Sequence, residues 1–160
     1  MPHVNVQGAG LYYEVHGHGE PLVLLHNGLG STKSFTKQMP EFSRSFRVVT
    51  YDRRGYGRSA HITALKNGWL EDSVDELSCF LDEIKVDRAH LCGICVGGAI
   101  ALLFAVKNPS RVNHVTVAPP DPDNVFLNTA TGNNNTNASY LLGSELKTEY
   151  RRILACIQAK

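Results

Sequence analysis

The chain has 160 residues, with 16 Lys and Arg against 15 Asp and Glu, a net charge of +1 and no dense basic block. That balance excludes nucleic acid and an anionic membrane surface as main partners. Apolar residues make up 42% and charged residues 19%, the proportions of a soluble globular domain with its own core, and no run approaches the roughly 20 apolar residues of a membrane span.

The first residues carry no charged segment followed by an apolar one, so a cytoplasmic chain with reduced cysteines is expected. Residues 4–6 and 11–15 read as short strands, separated from the next by a Gly-rich turn over residues 16–21. His16 and His18 sit in that turn without a carboxylate or cysteine cluster and read as solvated rather than metal-binding. Residues 22–25 are a continuous apolar run, the mark of a strand buried on both faces. The loop His26-Asn27-Gly28-Leu29-Gly30-Ser31 follows, and then a helix over 34–42. Residues 47–51 form the next strand and lead into the Gly-rich turn of Asp52 to Ser59. Apolar residues at 70, 74, 77, 80, 81 and 84 place a helix over 69–84. A strand over 88–92 precedes Gly93-Ile94-Cys95-Val96-Gly97-Gly98, and a helix over 99–108 ends near Pro109. Residues 112–118 are a further strand, closed by Pro119 and Pro120.

Strands alternating with helices imply an α/β fold, a mainly parallel sheet with helices on both faces. The core spans residues 1–120. Residues 121–143 read as a polar loop, in which the Asn134 and Asn137 glycosylation patterns are chance matches. Residues 144–160 read as an amphipathic helix capped by Ser144, with Leu146, Tyr150, Ile153, Leu154 and Ile157 on one face. Cys92 and Cys95 have the spacing of a redox pair, but a bridge would distort the turn at Cys95, so Cys92 reads as a small buried packing residue. Cys79 and Cys156 read the same way.

The segment around Cys95 resembles the G-x-S-x-G nucleophile elbow of the α/β hydrolases, with sulfur in place of the serine hydroxyl. The helix that follows aims its N–H groups at the side chain and favours thiolate. Together with the loop after residue 25 and the turn after residue 51, this makes the chain, from residue 3 to Pro119, similar to the N-terminal two-thirds of a single-domain esterase, lactonase or perhydrolase. The cysteine box resembles those of dienelactone hydrolases and polyhydroxyalkanoate synthases, and the other motifs look closer to enol-lactonases.

The resemblance implies Cys95 as nucleophile and the N–H groups of Gly28 and Val96 as oxyanion donors, with Leu29 the donor under a shifted alignment. The Asp52–Ser59 turn reads as structural, its arginines tying loops together. No metal or organic cofactor is implied. The family's acid and histidine follow the nucleophile, and the chain is expected to be truncated after the sixth strand, before either. His114 lies early in its strand, at the wrong end for a base. His26 is then the substitute base to consider, and Asp121 and Asp123 are the acid candidates. An exposed sixth strand would be covered by the 144–158 helix, by a second copy in a homodimer, or by a partner chain.

Three functions remain open at this point. One is hydrolysis of a carboxylic ester, lactone or thioester through an acyl-Cys95 intermediate. Another is a catalytically incomplete scaffold that binds a small acyl ligand or a protein. The third is acyl transfer.

Overall fold

The computed structural model describes residues 2–61, 68–118 and 128–131. Within them one 7-stranded sheet runs in the order β1-β2-β4-β3-β5-β6-β7. Its strands are β1 (His3–Val6), β2 (Ala9–His16), β3 (Glu20–Leu25), β4 (Phe46–Tyr51), β5 (Ala89–Ile94), β6 (Val112–Ala118) and β7 (Asn128–Thr131). The four central strands β4, β3, β5 and β6 are parallel, while β1, β2 and β7 pair antiparallel at the flanks.

Alternation along the central strands sends their side chains into two cores. Val23, Leu25, Val49, Tyr51 and Leu91 face one side and pack with α2 (Trp69–Glu83) and α3 (Val96–Lys107), chiefly through Leu77, Phe80, Ile100 and Phe104. Leu22, Leu24, Phe46, Val48 and Cys92 face the other and meet Phe35 and Phe42. Fully burying each Leu or Phe contributes roughly 1.5–3 kcal/mol, so continuous apolar strands are what a two-faced sheet requires.

Two expectations change. The helix over 34–42 is instead a 3-10 turn (Thr32–Phe35) followed by the single-turn helix α1 (Met39–Phe42). Pro40 is the reason: it has no N–H and is tolerated only in a first helical turn, so a new helix starts there. The second change concerns β6. It is not an open edge, because β7 pairs with it from His114↔Thr131 to Val117↔Asn128. Part of the 121–143 segment is therefore a strand, and the case for a second chain against β6 loses its premise. The expected 144–158 helix and Cys156 lie outside the described residues. Among the described residues no helix is long and apolar enough to cross a membrane.

Candidate active site

Loops leave the C-terminal ends of three neighbouring parallel strands: residues 26–31 after β3, residues 52–59 after β4, and Cys95 after β5. The chain passes from β3 to β4 on one side, and β5 lies on the other side of β3. The strand order reverses there, which is the usual ligand position in an open α/β sheet.

Cys95 occupies the turn between β5 and α3 with φ 52 and ψ −114, backbone angles that a residue with a side chain rarely adopts. Two glycines make the turn possible. A Cβ at Gly93 would overlap the backbone of Gly97 and Gly98, and one at Gly97 would overlap the Leu25 carbonyl. The helix begins immediately behind the thiol, with Ala99 N–H donating to Cys95 O at 3.1 Å. The N–H groups of Val96, Gly97 and Gly98 therefore have no acceptor within the helix, and its positive end lies at Cys95. The Cys95 side chain is partly exposed, whereas Cys92 is buried against Leu24 and Phe46 in the opposite core, and neither forms a disulfide.

Gly28 comes up against this turn. A Cβ there would stand 3.6 Å from Val96 Cγ2, so the bare face of Gly28 borders the residue after Cys95. The two residues expected to supply oxyanion donors are thus neighbours. Leu29 is placed differently: its N–H donates to Asn27 Oδ1 at 3.3 Å and its side chain is 99% exposed. Of the two candidates, only Gly28 is shown bordering Val96.

His26 is 0% exposed. The Arg53 N–H donates to its Nε2 at 3.1 Å, so that nitrogen carries no proton. The proton is then on Nδ1, which donates to Asn27 O at 2.7 Å. Both nitrogens hold the loop, and neither offers a lone pair to Cys95. The expectation of His26 as a substitute base is corrected accordingly. Burial, followed by the neighbouring Arg53 charge, lowers its pKa to about 4.

That depression has a consequence for stability. Between about pH 6.5 and 4 the unfolded chain binds a proton at His26 that the folded chain does not, so stability falls as the solution is acidified through that window. The full loss is about 3 kcal/mol. Urea titrations at pH 7 and pH 4.5 are expected to show a steeper acid loss for the wild type than for His26→Gln. Equal losses would remove His26 as the cause.

The second loop is structural, as expected. The buried Asp52 carboxylate accepts from Thr32 N–H at 2.6 Å and Arg58 N–H at 2.8 Å, tying the end of the first loop to the Gly-rich turn. Ser59 Oγ accepts from Tyr12 N–H at 2.9 Å and donates to Asp52 O. Ser59→Ala leaves that buried N–H without its partner, and a loss of about 2 kcal/mol in urea unfolding is expected.

His114 stands near the start of β6, where its Nδ1 is 3.2 Å from His90 Nδ1. That is the end of the parallel strands away from Cys95, in agreement with its exclusion as a base. Asp121 and Asp123 lie outside the described residues. Among the described residues no three His, Cys, Asp or Glu side chains are grouped to hold a metal ion.

A family model described as the alpha/beta hydrolase fold matches residues 20–143. The chain belongs to the α/β hydrolase fold family. It is 36% identical over 123 residues to RutD of Caulobacter segnis, a protein provisionally named a carbamate hydrolase, covering 71% of this chain and 45% of that one. It is 32% identical over 116 residues to 3-oxoadipate enol-lactonase 1 of Acinetobacter baylyi, covering 71% of this chain and 42% of that one. Among solved structures, the enol-lactonase from Burkholderia xenovorans LB400 superposes with a TM-score of 0.68 at 26% identity, over 73% of this chain and 47% of that one. The chain thus spans less than half the length of these two curated relatives.

Arg53 is one of the arginines expected to tie loops together, but its partner was not legible in the sequence. Arg53 is 2% exposed and donates through Nη2 to Asn27 O at 3.0 Å, inside the oxyanion loop. Its only signal in the sequence was its place one residue beyond Asp52, at the exit of a strand next to the switch point.

Proposed function

We propose that the chain carries the nucleophile and oxyanion site of a hydrolase for carboxylic esters, lactones or thioesters, with Cys95 as the attacking group. The observation that carries this reading is the juxtaposition at the switch point: a partly exposed thiol on a positive-φ turn, a helix N-terminus behind it, and Gly28 bordering Val96. The carbonyl relatives among the similar proteins support the substrate class, since one is named an enol-lactonase.

In this reading the Cys95 thiolate forms a C–S bond to the substrate carbonyl carbon. The π electrons move to oxygen, and the N–H groups of Gly28 and Val96 hold the oxyanion. Collapse breaks the bond to the leaving oxygen or sulfur, which takes a proton from solvent, and an acyl thioester remains on Cys95. Water then adds to that thioester, the acid leaves, and the thiolate returns. His26 is engaged on both nitrogens and His114 lies at the far end of the strands, so neither assists the second step. With neither histidine assisting release, an acyl-enzyme that accumulates is the expected signature of this reading.

The test is intact mass and peptide mapping after exposure to p-nitrophenyl acetate and to a short-chain thioester. One acetyl group on Cys95 is expected, with none on the corresponding peptide of Cys95→Ala. A folded protein whose Cys95 is alkylated by iodoacetamide but never acylated overturns the proposal and leaves the binding scaffold. Faster release on adding an alcohol or thiol makes the activity acyl transfer.

A further inference from the structure

We infer that Arg53 is a positioning residue for the oxyanion site, acting through the peptide group that joins Asn27 to Gly28; the inference rests on the hydrolase reading above.

Three donors hold the Asn27 carbonyl oxygen, the Gly30 N–H of the same loop at 3.3 Å and two side chains. His26 Nδ1–H donates to it at 2.7 Å and Arg53 Nη2–H at 3.0 Å. The N–H at the other end of that same peptide belongs to Gly28, the expected donor. A trans peptide is planar, with its C=O and N–H pointing in opposite directions, and there are no cis bonds among the described residues. Fixing the oxygen therefore fixes the direction of the Gly28 N–H, in a residue whose bare face borders Val96.

The two side-chain donors, one of them a cation, also change the strength of that N–H. A carbonyl that accepts from a cation shifts electron density toward oxygen, and the amide nitrogen at the far end of the resonance gives up density in turn. Its proton becomes a better donor, the cooperativity seen in chains of hydrogen bonds. A fixed, strengthened donor aimed at developing charge is the form of transition-state stabilisation that needs no reorganisation during reaction.

The burial of Arg53 argues against a merely mechanical tie. Its guanidinium lies 4.5 Å from the centroid of the Tyr56 ring, and its Nε is buried with no hydrogen-bond partner. Burying a cation with an unpaired N–H is unfavourable, and a neutral donor would hold a carbonyl with less desolvation. What a neutral donor lacks is charge, and charge is what polarises the Asn27–Gly28 peptide. Arg53 supports the second donor as well. Its own N–H occupies His26 Nε2, and its charge opposes protonation of that ring, so His26 stays neutral with its single proton directed at Asn27 O.

Two reactions of the same thiol separate this role from a structural one. Acylation by p-nitrophenyl acetate passes through an oxyanion. Alkylation by iodoacetamide is a direct displacement of iodide and forms none. Both are read as rates of modification of the Cys95 peptide, in wild type, Arg53→Met and Arg53→Lys, with thermal unfolding recorded for each. In Arg53→Met acylation is expected to fall by about 10–100-fold, less than loss of a whole oxyanion donor, while alkylation changes by less than about twofold. Arg53→Lys restores a cation without the fixed fork and is expected to fall between. An acylation-to-alkylation ratio unchanged in both variants, or parallel loss of the two rates, overturns the inference. A wild-type protein that is alkylated but not acylated overturns the hydrolase reading and this inference with it. Acylation equally fast in wild type and variants overturns this inference alone.

Discussion

Cys95→Gly is expected to be more stable than the wild type and inert toward activated esters. The wild-type residue sits at φ 52 and ψ −114, outside the left-handed helical basin as well as the ordinary one. Such angles cost a residue with a Cβ about 1–3 kcal/mol, whereas glycine adopts them without that penalty. Glycine also loses more backbone freedom on folding, by about 0.5–1 kcal/mol, and the partly exposed thiol gives up only a little packing. The net expectation is a gain of about 1 kcal/mol in urea unfolding. Cys95→Ala separates the two effects. It keeps the Cβ and therefore the strain, so its stability stays within about 0.5 kcal/mol of the wild type. Both variants lack the thiolate, and acylation of the peptide at position 95 falls by at least about 10³-fold. A glycine variant less stable than the alanine variant by about 0.5–1 kcal/mol would show that the turn stores no strain. A strained turn that is kept although glycine would relax it is the pattern expected where backbone geometry serves a reactive group.

The parts of this site that could be read in the sequence are those set by neighbours along the chain. The apolar run Leu22 to Leu25 announces a strand with two buried faces, and its residues divide between the two cores by alternation. Gly93 and Gly97 bracket Cys95 because strand and helix meet at the turn, so the elbow is a local pattern. The extended stretch at Asn128–Thr131 gave no such signal. Its pairing to β6 comes from the edge that β6 presents, which is information from another segment. The same is true within the site. His26 could be placed on the loop after β3, but its two nitrogens are engaged by Asn27 O on one side and by Arg53, 27 positions away, on the other. An imidazole looks like a base until its partners are known. Arg53 reads as a loop tie and is one, but its partner is not local, since its proximity to Asn27 exists only once β3 and β4 lie side by side.

Gly97→Ala is expected to cause the largest loss of stability of any single methyl added to the helices among the described residues. In an exposed helix interior the same exchange stabilises by about 1 kcal/mol, because alanine loses less backbone freedom. At Gly97 the sign reverses. The added Cβ would overlap the Leu25 carbonyl and stand 2.7 Å from His26 O, both backbone atoms at the end of β3. No side chain can rotate away to make room, so α3 must lift from β3 or the Gly93–Gly97 approach must open. Overpacking of this kind costs about 1–3 kcal/mol where side chains yield, and more where backbone must move. A loss above about 3 kcal/mol in urea unfolding is expected. Ala99→Gly, on the solvent side of the same helix, provides the comparison and should lose about 1 kcal/mol from propensity alone. Lifting α3 also carries Val96 and Cys95 away from Gly28, so the surviving folded fraction should acylate more slowly while its thiol still alkylates. A Gly97→Ala protein as stable as the wild type, with an unchanged acylation rate, would mean that α3 does not rest on the end of β3. The closeness of that contact is what brings a helix N-terminus with its thiol and a loop amide from two distant segments of the chain to one point.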